Sequence, residues 1–481
     1  MGQPDGSLDP DDWRDLRAQG HRMLDDMFDH LEHLRDQPLW QAPTPDMRRR
    51  FRADLPWDPQ DLTAVHSQFL ADIAPYSSGN AHPGFMGWVQ GGGTPVGMLA
   101  EMLAAGLNAN LGGRDHMPIE VERQVVNWMA ELFDFPRDAS GLFLTGTSQA
   151  NMCAVLIART RALGPQVRTG GLAQAEGRRL IAYTSRAAHN CIARAMDMAG
   201  LGSDSLRLIE TDARDRMSLP ALQRAIAADR AAGFKPFLVV GTAGTVDIGA
   251  IDDLEGLARI AQREDIAFHV DGAFGALGMM SPKVAPRLAG IELADSLAFD
   301  FHKWGQVPYD AGFLLVRDPA LHRATFASEA AYLRHAERGL AGGDWWPCDL
   351  GPDLSRGFRA LKVWFTLKTY GLDALGAAIG RTCDLAEALA ARVAAEPALE
   401  LLAPVQLNIV CFGLRGRDDL NAAIAADLQE GGRIAPSTTT IAGRTAIRAA
   451  IVNHRTGPQD IEALVDQTLA LGRAAGLRMA S

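Results

Sequence analysis

The chain has 481 residues, 47% hydrophobic and 22% charged, with a formal net charge of −11; that length exceeds one hydrophobic core and predicts two or three domains. The acidic balance argues against nucleic acid or an anionic membrane as the main partner, and no apolar run reaches the about 18 residues of a membrane span. The polar opening MGQPDGSLDPDDW shows no signal peptide and fails the myristoylation pattern at Gly6, while Cys153, Cys191, Cys348, Cys383 and Cys411 have neither disulfide nor metal spacing, so a reduced cytoplasmic protein without a metal is expected.

Residues 9–36 read as one helix, with Leu16, Met23, Met27, Leu31 and Leu34 at helical intervals and Asp9-Pro10 as its start signal. Residues 37–60, rich in Pro, Trp and Arg, read as an extended linker. A second helix is expected over about 60–74, followed by the loop YSSGNAHPGFMGWVQGGGTP, of a length that suits a functional or intersubunit role. Residues 1–100 carry too little apolar surface to fold alone and are expected to pack on another body, such as a partner subunit.

From 101 to 370 the pattern is α/β. A helix through Val121, Val125, Val126, Met129 and Leu132 stops at Pro136. Seven short apolar strands then alternate with helices: Gly141–Thr145, Leu180–Thr184, Leu206–Glu210, Phe237–Thr242, Ile266–Asp271, Ser296–Asp300 and Gly312–Val316. They predict a mainly parallel sheet covered on both faces. After a long helix, Phe358–Tyr370, residues 371–481 read as a small α+β domain. It has an Ala-rich helix (374–396), the strand-like runs LNIVCFGL (407–414) and TAIRAAIV (445–452), and a closing helix, Pro458–Leu471.

The chemistry concentrates in Ile266–Val316. Asp271 closes one buried strand beside Gly272, Ala273 and Gly275, and Lys303 follows another inside Asp300-Phe301-His302-Lys303-Trp304. Strand ends of an open α/β sheet are where such folds place their sites, and a buried carboxylate and amine each need a partner. Pyridoxal 5'-phosphate (PLP) supplies both, an aldehyde for the lysine and a pyridinium N–H for the aspartate; the plain alternative is a structural Asp and a surface Lys. Earlier in the chain, Thr145-Gly146-Thr147-Ser148 precedes an apolar helix from Met152 to Ala158, a turn that either holds a phosphate or simply caps the helix.

The segments HVDGAFG and DFHKW, 32 residues apart from Asp271 to Lys303, resemble the group II PLP-dependent amino-acid decarboxylases, the family of aromatic-L-amino-acid, histidine and glutamate decarboxylases. The resemblance covers about residues 10–470. It implies a fold type I, seven-stranded large domain, a homodimer, and α-decarboxylation of a small-molecule L-amino acid, with catalytic roles for Lys303, Asp271 and His189. Lys303 would form the Schiff base, Asp271 would keep the ring nitrogen protonated, and His189 would stack on the ring. Gly146, Thr147 and Ser148 would bind the phosphate with His302 as a second contact, Ala273 would pack on the ring, and Thr242 and Thr245 would lie near the cofactor. Asp252 would follow as a helix cap. His82-Pro83-Gly84-Phe85 and Trp88 resemble the segment lining the substrate pocket, its aromatic wall suiting an aromatic side chain; aromatic packing at a subunit contact is the plain alternative. Arg448 either faces the site or braces the two domains.

Two departures from the family pattern stand out. Asp300 occupies the place where the animal enzymes have Asn, and an ionised Asp cannot donate to a phosphate. The family's mobile loop carries a proton-delivering Tyr, whereas the matching stretch here holds Trp345 and Trp346. That leaves His335 or Tyr332 as donor, or else a carbanion that reacts with oxygen, as in the aldehyde synthases of the family; an aminotransferase or aldolase is the further alternative within the fold.

Overall fold

The computed structural model describes residues 6–175, 177–328 and 336–480. A two-residue strand, β1 (Phe85–Met86), comes first. The seven expected strands follow as β2 (Ser140–Leu144), β3 (Leu180–Ser185), β4 (Leu206–Ile209), β5 (Lys235–Thr242), β6 (Ala267–Asp271), β7 (Ser296–Asp300) and β8 (Gly312–Val316). All seven form one sheet in the order β2-β8-β7-β6-β5-β3-β4. Only β8 runs antiparallel to its neighbours. β2, β3, β6, β7 and β8 are buried along their whole length, which is why they read as continuous apolar runs.

Both faces are covered. On one, the helix Thr147–Leu163 lays Ala150, Ala154 and Ile157 against Leu142, Leu144 and Leu314. On the other, Phe143, Phe299, Phe301 and Phe313 stack with centroids 5.0–5.7 Å apart, near the helices Met117–Leu132 and Leu254–Arg263. The register sets Thr242 opposite Asp271 and Asp271 opposite Ala298. The carboxyl ends of the parallel strands therefore finish at one edge.

A second sheet combines β9 (Leu399–Leu401), β10 (Ile409–Leu414), β11 (Ala435–Ile441) and β12 (Arg444–Ala450) with β1, in the order β1-β11-β12-β10-β9. β11 and β12 are joined by Ala442-Gly443, both at positive φ (48° and 80°), the two-residue turn whose twist suits a hairpin. β1 pairs in parallel with β11, so the N-terminal loop is stitched into the C-terminal sheet. Two residues carry no readable alternation, and the strand exists only through that pairing.

Other boundaries differ from the sequence expectation for local reasons. The first helix is Trp13–Glu32, capped by Asp12, which accepts from Arg14 N at 2.8 Å, rather than starting at Asp9. The expected linker contains a short helix, Pro45–Arg50, capped by Thr44. The second helix, Leu62–Gln68, runs into a π turn, Phe69–Ile73. The two helices expected around residue 372 form one span, Arg359–Ala394, broken at Gly371, whose φ of 74° an L side chain tolerates poorly.

Candidate active site

The strand ends and the turns after them enclose a cavity of about 420 Å³. β6 brings Asp271 and then Ala273, β7 brings Asp300 and the turn with His302 and Lys303, and β5 brings Thr242. The turn after β2 brings Gly146, Thr147 and Ser148, and the chain after β3 brings His189; all of these line the cavity. The two residues on which the sequence reading turns, Asp271 and Lys303, thus face one space.

Asp271 is 2% exposed. Its Oδ1 accepts from Ala273 N at 3.2 Å, and its Oδ2 accepts from Asn151 Nδ2 at 3.0 Å and lies 3.6 Å from Cys191 Sγ. Burial pushes its carboxyl above the ordinary value, while the Lys303 amine and these donors pull the other way. Asn151 is itself held by His269, Nε2 to Oδ1 2.8 Å, and burial keeps that imidazole neutral, with its pKa lowered to about 4. Asp271 is therefore fixed from behind by a buried polar chain, each member of which has a partner.

Lys303 Nζ lies 2.9 Å from Asp300 Oδ2, with its side chain one-fifth exposed. Burial alone would lower its pKa, but the Asp300 carboxylate, with Asp271 behind it, holds the amine above the ordinary value. His302 accepts from Ala311 N at Nδ1 (3.0 Å), and its ring meets that of Tyr309 at 4.2 Å between centroids. Burial lowers the His302 pKa. Burial first, and then Asp300, push the Tyr309 phenol up to about 12. His189 Nδ1 accepts from Cys191 N at 3.2 Å.

Of the residues singled out in the sequence, Gly146, Thr147, Ser148, His189, Thr242, Asp271, Ala273, His302, Lys303 and Trp88 line the cavity. Thr245 does not; its hydroxyl accepts from Ala250 N at 2.9 Å and braces a turn. Asp252 is no helix cap but accepts from Thr242 N (2.8 Å) and Met217 N (2.6 Å), and the helix is capped by Asp253. His82 accepts from Gly84 N, Pro83 offers its carbonyl to Thr456, and Phe85 packs in β1 with Leu39 and Ala435, and none of the three lines the cavity. Arg448 is a brace, donating to the carbonyls of Trp88 (3.0 Å), Asp247 (3.1 Å) and Val246 and to Ser437 Oγ (3.1 Å). Tyr332 and His335 lie outside the described residues.

Trp345 and Trp346 do not reach the cavity. Trp346 is buried beneath the Arg114 guanidinium (4.8 Å) and donates to Gly342 O, and Trp345 lies under Arg123 (5.5 Å). Asn151, Cys191 and Tyr309 were missed by the sequence reading. A polar Asn on an otherwise apolar helix face was the one visible signal, since such a group must find a partner.

The residues fit a phosphorylated pyridine aldehyde. The hydroxyls of Thr147 and Thr242 are buried with no hydrogen-bond partner among the described residues; Thr147 opens a helix whose N-terminus favours an anion, and an amine and a carboxylate line the same cavity. The pyridoxal-dependent decarboxylase conserved domain matches residues 45–415. The chain is similar to aromatic-L-amino-acid decarboxylase of Bacillus atrophaeus, 31% identical over 471 residues and 95% of each chain. It is similar to phenylacetaldehyde synthase of Arabidopsis thaliana, 28% identical over 465 residues, 92% of this chain and 93% of that one. Among solved structures it resembles Catharanthus roseus tryptophan decarboxylase in complex with L-tryptophan, with a TM-score of 0.85 and 25% identity over 96% of this chain and 99% of the other.

Proposed function

This chain belongs to the pyridoxal-dependent decarboxylase family, and from that premise we propose that it removes the α-carboxyl group of an aromatic L-amino acid, releasing the amine and CO2, with PLP joined to Lys303. That it is a PLP-dependent carboxy-lyase follows from the family; the substrate, the lysine and the other residue roles are our reading. One observation carries it: the Lys303 amine and the Asp271 carboxylate face the same cavity as the unpartnered hydroxyls of Thr147 and Thr242.

Bound PLP supplies an aldehyde that condenses with amines and a protonated ring that accepts the electron pair of the breaking C–C bond. Asp271, locked by Asn151 and Ala273, holds the proton at the ring nitrogen. Lys303 would hold the aldehyde and, when the substrate amine takes that bond, would be left as an amine base in the cavity. Gly146, Thr147 and Ser148 would hold the phosphate, with His302 as a second contact, and His189 and Ala273 would flank the ring. Trp88 provides an apolar wall beside an indole- or phenol-sized side chain. Its backbone sits at φ 50°, a conformation that costs an L residue about 1–2 kcal/mol, and Arg448 holds its carbonyl there. Tyr309 is the phenol that hands a proton to the substrate α-carbon: it lines the cavity, and at neutral pH it keeps its proton.

A homodimer belongs to the same reading, with residues 1–100 packed on the partner, 101–370 as the cofactor-binding domain and 371–481 as the small domain. Trp57 (86% exposed) and Leu107 (63%), with Leu16 and Met23 on the first helix, are apolar surface that a partner would cover. A reducing, cytoplasmic setting agrees with five unpaired, buried cysteines.

The test is reconstitution. Protein mixed with PLP should gain a visible absorbance band that Lys303→Ala abolishes, and should release equal amounts of CO2 and amine from tyrosine, tryptophan or 3,4-dihydroxyphenylalanine. A colourless protein after PLP addition defeats the reading. The second reading, an aldehyde synthase that consumes oxygen and releases ammonia, is favoured by the similarity to phenylacetaldehyde synthase of Arabidopsis thaliana, with Trp345 and Trp346 in the stretch where the family's loop Tyr is expected. Oxygen uptake matching CO2 release would select it.

A further inference from the structure

One acid at the cavity has no part in the reaction above. Asp300, 3% exposed at the end of β7, accepts from Thr147 N through Oδ1 at 2.7 Å. Its Oδ2 lies 2.9 Å from Lys303 Nζ and 3.7 Å from His302 Nε2. The Thr147 N–H, at the start of a 17-residue helix, has no acceptor within the helix itself. The unpartnered Thr147 hydroxyl belongs to the same residue, and Gly146 comes so near that a Cβ there would lie 3.7 Å from Asp300 Oδ1. These are the donors a phosphate needs, and a carboxylate already holds one of them.

We infer that Asp300 is a resident anion: in the free protein it fills the phosphate seat at the start of the helix and pairs with Lys303, and the cofactor must displace it from the Thr147 N–H. The inference rests on the assignment of Lys303 and the Thr147 turn to PLP. Lys303 is the cation paired with Asp300, and the neighbouring His302 imidazole is held towards its neutral form by burial, so a phosphate entering beside Asp300 meets like charge. An Asn of the same shape can donate to that phosphate instead, and it also leaves Lys303 without its counter-ion.

The two effects separate when PLP is compared with pyridoxal, which has the aldehyde but no phosphate. Apo-protein and Asp300→Asn are titrated with each, following the visible band, and inorganic phosphate is added as a competitor of PLP. A hydrogen bond to a charged group contributes about tenfold or more in affinity. The variant should therefore raise the preference for PLP over pyridoxal by about tenfold, and inorganic phosphate should compete more strongly with PLP than in the parent. Asp300→Ser carries the same expectation and guards against a packing defect of the amide. An unchanged or reduced preference in both variants overturns the inference while PLP on Lys303 stands. A band that survives Lys303→Ala removes the premise, and the inference with it.

Discussion

Asp271→Asn isolates one charge at constant shape. The amide retains an oxygen for Ala273 N at 3.2 Å, but it sets an NH2 against the Asn151 NH2 that now donates at 3.0 Å. It also removes a negative charge from a position only 2% exposed, where water cannot replace it. Removing one member of a buried charge pair costs about 3–5 kcal/mol. At 1.36 kcal/mol per tenfold, that is about two to three and a half orders of magnitude. The loss should fall on kcat, because the ring nitrogen must be cationic only when the ring takes up electrons, whereas the link to Lys303 does not depend on it. The variant should therefore form the visible band with PLP at full occupancy and release CO2 at least about a hundredfold more slowly. Asn151→Ala, which takes away one neutral hydrogen bond and leaves the charge, should lose only about tenfold. Turnover within about threefold of the parent at full occupancy would refute the role of the carboxylate.

Tyr309→Phe keeps the ring against His302 and deletes the hydroxyl; amine formation should fall by about a hundredfold while CO2 release persists, and an unchanged amine yield by chromatography rules the phenol out as donor. Burial lowers His269, His322 and His454 to about 4 each, against about 6.5 when unfolded. Between these values the unfolded chain binds protons that the folded one refuses, so stability is lost as pH falls from 6.5 towards 4, by up to about 3 kcal/mol per histidine. The urea midpoint should drop from pH 7.5 to 5, less so in His322→Gln, and a midpoint that rises on acidification contradicts this. Arg448→Met leaves the carbonyls of Trp88, Val246 and Asp247 without this donor in a partly buried setting, at up to about 1 kcal/mol each; the urea midpoint should fall and KM rise, and a parent-like value of both would show the brace to be idle.

The central large-sheet strands were legible because burial on both faces demands unbroken apolar runs, and Asp271 and Lys303 were legible because charges at the ends of such runs need explaining. β11, APSTTTI, alternates burial along a Thr-rich run and carried no apolar signal. Cys191 and Tyr309 have side chains compatible with any surface, and only tertiary folding brings them to the cavity. The sequence put Trp345 and Trp346 in the loop at the site. Their indoles instead found cations on the segment before and within the helix Met117–Leu132, Arg114 and Arg123, a choice that depends on partners more than two hundred residues away.

Arg448 reaches from the C-terminal sheet to two stretches that are far apart in sequence, Val246–Asp247 and Trp88. A single guanidinium thereby makes the aromatic wall, the loop after β5 and the hairpin β11–β12 one mechanical piece. For anyone redesigning the specificity of this protein, backbone changes around residue 88 will be transmitted to the loop after β5. New side chains should be easier to accommodate at a position such as Gln90, which borders the same space without being tied to that guanidinium.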